Sequence, residues 1–429
     1  MKKSLAALLL IFAFTSIAFC QINGQQPLIT IESLPVLDTL PKETPAAAKG
    51  ASASFKESDS EKAQGVNRQE DEPSGRVWVS AEYLLWRTRG SNLPPLITVT
   101  PASTGFSAVI GQPGTVIAFG GERLDQGNFP GGRLSLGFWL NKGKTVGAEV
   151  SYFFLEKNTL RFQVASNGSP DSQTIGRPFL SVGNTEQAIS VVYPIIGFNS
   201  NPPFTISGTS TATFFNRLQG AEGNLLFRLS AIDCCRLALL TGFRYLDLRE
   251  GLTITDISQD SRGTRYYTDT DQFNTNNRFY GGEAGLRSTF SRGRFGLELS
   301  GTVALGSNRQ SVDINGETTD TLNIGSNGPG GILALVTNIG SYSRSKFAVV
   351  PEFKAKVSYD ITRNLKPFVG YDFLYWNQTV RPGEQIDRVV NVALRPPPLS
   401  TLLPARPAFT FNSSRFWTHG LTTGVTLQF

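Results

Sequence analysis

From residue 76 onward, apolar and polar side chains alternate along the chain with a period of two. In the segment Phe295–Leu305, apolar residues occupy nearly every odd position, and small or polar residues fall between them. This period predicts β-strands that have one apolar face. Ten such strands can be placed, at about 76–86, 131–140, 145–163, 213–229, 236–257, 278–290, 294–305, 347–359, 366–377 and 415–429.

The connections between these strands differ in length in a regular way. Short connections, at 141–144, 230–235, 291–293 and 360–365, alternate with long ones at 87–130, 164–212, 258–277, 306–346 and 378–414. Short turns at one end, long loops at the other and an even strand number are typical of outer-membrane barrels. We therefore predict an all-β fold, a transmembrane antiparallel up-and-down β-barrel of about ten strands over 76–429. Residues 309–314 and 331–338 also look strand-like, and a further hairpin there would raise the number to twelve.

A signal peptide is predicted over residues 1–20. Two lysines precede the apolar stretch Leu5–Phe19, which at about 15 residues is short for a membrane span. The small residues around Phe19 fit a cleavage site after Cys20. A lipid-modified Cys20 is the alternative, and the bulk of Phe19 disfavours it. An exported chain without a second long apolar run belongs to the periplasm, the medium or the bacterial outer membrane.

Residues 21–75 differ in composition from the rest of the chain. They are rich in Pro, Ala, Ser, Lys and Glu, and between Ser52 and Ser74 the large apolar residues are Phe55 and Val66 alone. Such a segment buries too little apolar surface to offset the entropy lost on ordering. We predict a disordered periplasmic linker over 21–75.

The polar face of the predicted strands carries charges of both signs. A charge on the lipid side of a barrel costs about 2–4 kcal/mol at the bilayer midplane, so we expect these side chains to share the lumen. The predicted lumen charges are Glu82, Arg133, Glu149, Glu222, Arg228, Arg244, Glu283, Arg287, Glu298, Glu352, Lys354, Lys356 and Asp372. They could set ion selectivity in a channel or close the lumen as a salt-bridged plug.

Aromatic residues cluster toward the long-loop ends of the strands, where an interfacial girdle is expected. The candidates are Tyr83, Trp86, Tyr152, Phe154, Phe214, Phe279, Tyr280, Phe347, Tyr375, Trp376, Phe416 and Trp417. The chain ends in Phe429, with Leu421, Val425 and Leu427 on the same face of the last strand. This pattern indicates the C-terminal signal that barrel-assembly machinery reads.

The composition argues against several classes of function. The net charge is +6 without a long basic run, so nucleic acid is not an expected partner. The chain holds one histidine, and we expect no metal, no cofactor and no enzymatic activity. Residues an even number of positions apart on a strand share a face. His419 therefore lies on the same lipid-facing side as Phe429, with Leu421 as its neighbour. An interfacial His is therefore favoured over a lipid hydrolase.

Two adjacent cysteines, Cys234 and Cys235, lie in a predicted periplasmic turn beside Asp233. Neighbouring cysteines in an oxidising compartment can form a strained vicinal disulfide. Free thiols and an intermolecular link remain open as alternatives. A metal or redox site is disfavoured, because neither a histidine nor a further cysteine lies nearby in the sequence.

Several segments resemble the beta-barrel porin type 7 family, which is known mainly from planctomycete bacteria. The resemblance runs over about 76–429, and the segments that carry it are Ala81–Trp86, Leu93–Leu96, Gly114–Gly120, Gly131–Trp139, Gly147–Phe153, Gly242–Leu246, Pro367–Trp376 and the Trp-x-His-Gly-Leu sequence that begins at Trp417. It implies a barrel in the outer membrane and a porin activity.

Three functions follow as hypotheses. The first is a porin-like channel for ions or small solutes, and the second is a non-conducting structural or surface-interaction barrel that acts through its long outer loops. A lipid-modifying enzyme is a distant third. Barrels of about eight strands are filled by side chains, whereas water channels appear at about sixteen, so ten to twelve strands lie near the filled end. The expected partners are outer-membrane lipid, the assembly machinery and small solutes or ions. The oligomeric state is left open.

Overall fold

The computed structural model of the chain describes residues 75–102, 108–196, 204–232, 235–322, 327–397 and 404–429. The signal peptide and all of the linker except Gly75 lie outside the described residues and stay predictions. No helix in the described part of the chain is long and apolar enough to cross a membrane.

The described residues form nineteen β-strands, numbered here in chain order. They are β1 Val77–Thr88, β2 Ser91–Asn92, β3 Ile97–Thr100, β4 Val116–Phe119, β5 Arg123–Leu124, β6 Asn128–Trp139, β7 Val146–Leu155, β8 Asn158–Ser166, β9 Thr174–Ser181, β10 Glu186–Ile196, β11 Phe204–Ile232, β12 Cys235–Asp260, β13 Tyr266–Arg292, β14 Phe295–Asp320, β15 Gly328–Pro329, β16 Gly340–Tyr359, β17 Leu365–Thr379, β18 Val389–Val390 and β19 Ser414–Gln428. Two 3-10 turns lie at Pro382–Gln385 and Val392–Leu394.

Ten antiparallel wall strands close into a ring. The order is β1, β6, β7, β11, β12, β13, β14, β16, β17 and β19, and β19 returns to β1. At the closing seam, Trp78 lies opposite Gln428, and Val77 and Phe429 exchange backbone hydrogen bonds of 3.1 and 2.8 Å. The structure thus confirms the predicted all-β barrel of about ten strands, with both described ends of the wall at the short-turn side.

The outer face of the ring is apolar, because alternate side chains of every wall strand point away from the lumen. Large exposed residues of this band include Leu134, Val150, Phe243, Val369 and Leu421. The turns below it are short. Between β13 and β14 the chain reverses at Gly293 and Arg294, where Gly293 adopts a φ of +60° that favours glycine. This band is the lipid-facing surface.

Several wall strands continue far beyond the band. β8, β11, β12, β13, β14 and the first half of β16 form a curved upper wall, whereas β1, β6, β17 and β19 end lower. An inner sheet of β3, β4, β9, β10 and β18 supplies the segments that pack against the concave side of this wall. We call the upper wall and the inner sheet together the outer domain.

Two expectations about the connections are wrong. Segment 258–277 is not a long loop, because β12 and β13 pair up to Gln259 and Tyr266 and leave only 261–265 as a connection. Residues 309–314 belong to the upper part of β14, and 331–338 form turns rather than a strand. No further hairpin therefore enters the described wall, and the strand number stays at ten.

Candidate functional site in the barrel lumen

A layer of paired charges crosses the lumen at mid-height, and Arg133 on β6 forms one half of it. Its Nη1 donates to Glu82 on β1 and to Asp372 on β17, each at 3.0 Å. Asp372 also accepts a 2.8 Å hydrogen bond from Thr422 on β19. Lys356 Nζ lies 2.7 Å from the other Glu82 oxygen. The guanidinium group thus joins carboxylates from two wall strands, β1 and β17, that lie on the same side of β6 in the ring.

Arg244 on β12 forms the other half of the layer. Its Nε lies 2.5 Å from Glu283, and its Nη2 pairs with both Glu222 and Glu352. Lys354 bridges the last two carboxylates, at 2.9 Å from Glu222 and 3.1 Å from Glu352. Glu352 also lies 4.0 Å from Arg133 Nη2, which links the two halves into one network. We call this network the ion-pair layer.

The charges of the ion-pair layer are paired with one another and largely buried. Its five carboxylates face four cations, and Arg133, Arg244, Glu82, Glu352 and Asp372 are each less than a tenth exposed. A cation or anion that entered the layer would have to displace buried partners, which are costly to leave unpaired. The geometry therefore fits a plug better than a ring of free charges.

Below the ion-pair layer, toward the short turns, the lumen contains a cavity of about 280 Å³. There Arg287 makes a bidentate pair with Glu149 at 2.7 and 3.1 Å, and Trp78 Nε1 donates to Glu149 at 2.9 Å. Glu298 lies 4.0 Å from Arg287 Nε. The Arg228 guanidinium lies 5.1 Å from the centre of the Trp139 ring. We call this cavity the vestibule.

Above the ion-pair layer, a hydrophobic layer fills the lumen. Every one of the ten wall strands contributes to it, and all its members are less than a tenth exposed. The members are Leu84, Trp86, Phe129, Phe153, Leu155, Leu218, Leu246, Leu248, Phe279, Ala304, Ala348, Val350, Leu374, Trp376 and Phe416. Arg133 lies against two of these rings, at 5.3 Å from Trp86 and 5.8 Å from Phe153, so the two layers are in direct contact.

Part of the predicted aromatic girdle is wrong. Tyr83, Tyr152, Phe154, Tyr280 and Phe347 face outward and are 43–66% exposed, as a girdle requires. Five other candidates point inward and are fully buried, namely Trp86, Phe214, Phe279, Trp376 and Phe416. The physical reason is the period of two: residues three apart on one strand cannot share a face. The position of an aromatic residue near a strand end therefore does not tell whether its side chain faces the lipid or the lumen.

The outer domain contains a second set of buried charges. Arg177 on the inner sheet pairs with Asp256 on β12 at 2.5 Å and with Asp271 on β13 at 2.7 Å, and it donates to the Leu96 carbonyl at 2.8 Å. Asp271 also accepts the backbone N–H groups of 332–334 at 2.8–2.9 Å. Burial raises the pKa of Asp256, and Arg177 opposes that shift. These pairs fasten the inner sheet and a turn segment to the upper wall.

Of these outer-domain residues, none was among the site residues predicted from the sequence. Arg177 lies within the connection predicted over 164–212, and Asp271 lies within that predicted over 258–277. Both connections are predicted as loops, and in a loop the alternation of side chains assigns no residue to an inner or outer face. A third pair, Arg381 with Glu250 at 2.6 and 2.8 Å, also joins a connection to the wall. Isolated arginines within long connections were the available signal.

The remaining candidates lie outside the lumen network. The side chain of Phe429 is 63% exposed on the outer face, in line with Leu421, Val425 and Leu427. Cys235 begins β12 opposite Phe290, and Cys234 lies outside the described residues, so the disulfide stays a prediction. His419 stands beside Trp417 and is 2.7 Å from the Tyr371 hydroxyl. No cluster of three or more potential metal ligands occurs among the described residues.

A closed ten-strand ring with an apolar outer band defines a bacterial outer-membrane β-barrel. The family model described as "Putative beta barrel porin-7" matches residues 78–429, and the chain belongs to that family. The family description is that of a porin and not of an enzyme. Among curated proteins, none matches the chain.

Solved structures that resemble the chain include outer-membrane proteins. The outer membrane protease OmpT from Escherichia coli is 11% identical, with a TM-score of 0.35 over 83% of this chain and 97% of that chain. A Pseudomonas aeruginosa FadL homologue is 8% identical, with a TM-score of 0.21 over 82% and 89%. An anion-selective porin from Comamonas acidovorans is 8% identical, with a TM-score of 0.15 over 82% and 100%. At these values the likeness has no bearing on activity.

Proposed function

We propose that this protein is a closed outer-membrane barrel that holds a folded domain at the cell surface and acts through that domain. The observation that carries the proposal is the hydrophobic layer, to which all ten wall strands contribute. Ions cross a dry apolar layer poorly, because a charge loses its hydration there without gaining a partner. The ion-pair layer beneath it adds a second barrier.

The size of the barrel supports the same proposal. Ten strands lie near the number at which side chains fill the interior, and well below the number found in water-filled porins. The vestibule ends at the ion-pair layer, so we infer that it does not form a path through the lumen from one side of the membrane to the other. This favours the second hypothesis from the sequence, a structural or surface-interaction barrel. The channel for ions or small solutes stays an untested prediction, and catalysis has no part in the proposal.

Planar-bilayer recording of the refolded protein tests the proposal. We expect no conductance steps at any voltage, with incorporation checked by heat-modifiable gel mobility and by protease protection. A variant with Trp86, Phe153 and Trp376 replaced by Ala opens the hydrophobic layer and should leak ions at a rate that the ion-pair layer still limits. The matched control replaces the outward-facing Tyr83, Phe154 and Tyr375 by Ala and should stay silent. Reproducible conductance of the wild type would establish the channel instead.

A further inference from the structure

Four arginines form a patch on the outer face of the wall. Arg217, Arg249, Arg278 and Arg309 lie on the adjacent strands β11, β12, β13 and β14. In the register of the sheet, Arg217 is directly opposite Arg249, and Arg278 is directly opposite Arg309. We call these four residues the arginine patch. Like charges placed directly opposite one another destabilise a sheet, so we expect a negatively charged group to neutralise these arginines.

The protein supplies only part of that neutralisation. Asp247 accepts from Arg249 Nε at 3.0 Å and lies 3.9 Å from Arg278 Nε. Arg217 donates to the neutral Gln219 at 3.2 Å. Within the described residues, Arg217 and Arg309 pair with no carboxylate. The side chains of Arg249 and Arg278 are 44% and 42% exposed, so the patch presents surplus positive charge to its surroundings.

The height of the patch on the wall identifies its surroundings. Two to eight residues closer to the short turns, the same four strands carry the outward-facing Leu225, Phe243, Tyr280 and Leu305, which are 44–51% exposed. Tyr280 packs against Tyr245 with ring centres 5.1 Å apart, and paired tyrosines at this position are typical of the membrane interface. The patch therefore lies where the lipid headgroups of the outer leaflet begin.

We propose that the arginine patch binds the phosphate groups of an anionic lipid in the outer leaflet. Guanidinium groups bind phosphate oxygens in bidentate, charge-assisted pairs. The four strands span about 14 Å at the usual interstrand spacing, which suits a headgroup with more than one phosphate. The acyl chains of such a lipid would lie on the apolar band below. This site is independent of whether the barrel conducts.

The test compares lipid binding by matched variants of the full mature protein, refolded in an uncharged detergent. The probes are a glycolipid with two phosphate groups, the same glycolipid without phosphates, and inorganic phosphate, each followed by native mass spectrometry. Arg217→Gln with Arg309→Gln removes the two arginines that pair with no carboxylate. The control, Arg292→Gln with Arg294→Gln, removes the same charge from the exposed short turn between β13 and β14. Heat-modifiable mobility verifies folding of each variant.

We expect the wild type and the control to bind the phosphorylated glycolipid about tenfold more tightly than its phosphate-free form, since charge-assisted pairs are the strong ones. The Arg217/Arg309 variant should lose that preference, and added salt should weaken binding by the wild type. Three results would overturn the proposal: equal binding of the two glycolipids, an equal loss in the control, or inorganic phosphate that binds as tightly as the phosphorylated glycolipid.

Discussion

Arg244 shows what a buried charge does in this barrel. One guanidinium group pairs with Glu222, Glu283 and Glu352, which come from three different wall strands. The desolvation of such a group cancels much of the attraction, so the network is weak evidence for high stability. Its clearer effect is on geometry, because the three carboxylates and the arginine fix which strands face one another across the lumen.

Replacement of Arg244 by Met should destabilise the refolded barrel by about 3–5 kcal/mol, because two buried carboxylates and the partly buried Glu222 lose their shared partner. Urea unfolding followed by tryptophan fluorescence measures the loss. The matched control is Arg236→Met on the same strand, where the side chain lines the vestibule and is reached by water. A loss for Arg244→Met no larger than that of the control would show that the network does not hold the wall.

The inward position of these charges could be predicted from the sequence, whereas their partners could not. Parity along a strand assigns Glu82 and Arg133 to the lumen, because the lipid side penalises a charge. The pairing of Arg133 with Asp372 depends on a strand 239 residues away and on the curvature of the ring. For aromatic residues parity is less informative, since both the lipid and a dry lumen accept them, as Tyr83 and Trp86 show.

At the level of strands, the upper half of β13 marks where sequence reasoning failed. Both of its faces are mainly polar: Asp269, Asp271 and Asn277 point inward beside the apolar Phe273, and Thr268 and Thr270 point outward. Such a segment shows no alternation and was predicted as loop. It is a strand because Arg177 and Arg395 pair with its inward carboxylates. The partners that make the strand stable come from distant connections, which no local pattern reveals.

Ionisation of the Asp256 carboxyl group should lower the stability of the outer domain as the pH rises. Burial raises the pKa of Asp256 in the folded chain above that in the unfolded chain. The folded state therefore binds the carboxyl proton of Asp256 more tightly than the unfolded state does. The resulting contribution to the free energy of unfolding is fully present below the ordinary Asp pKa near 3.9, and it is lost as the pH rises through the raised pKa of the folded state. Between pH 4 and pH 7, the wild type should lose local stability relative to Asp256→Asn.

Hydrogen exchange of the amides at 252–258, corrected for the intrinsic pH dependence of exchange, measures that difference. The control variant is Asp313→Asn at an exposed position on β14, for which no such trend relative to the wild type is expected. If protection in the wild type increased relative to Asp256→Asn as the pH rose, the sign argued from burial would be wrong.

At the level of the whole molecule, the interior is filled in layers from the vestibule upward. The ion-pair layer, the hydrophobic layer and the core of the outer domain follow one another, and each uses side chains from several wall strands. The ion-pair layer and the hydrophobic layer both use residues of β1 and β19, so these two layers are complete only when the ring is closed between those strands. Closure of the barrel and packing of its interior should therefore be a single cooperative event.

A mature chain that begins at Gly75 should refold like one that begins at residue 21, because the described wall starts at Val77. Heat-modifiable mobility and the urea midpoint should be the same for both chains. A chain that begins at Arg89 lacks β1 and should fail to close, since β6 and β19 each lose one of their two neighbouring strands. Failure of the chain that begins at Gly75 would assign residues 21–74 to the folded structure.

The length of the upper wall has a consequence for evolution at the cell surface. β12 has 26 residues, which at about 2.5 Å of height per tilted residue gives roughly 65 Å, and the apolar band accounts for about 25 Å of it. The connection 261–265 therefore stands about 40 Å above the apolar band. Phages, antibodies and neighbouring cells would meet this tip first. Its sequence is free to diverge quickly, because no residue of the tip belongs to the layers that close the barrel.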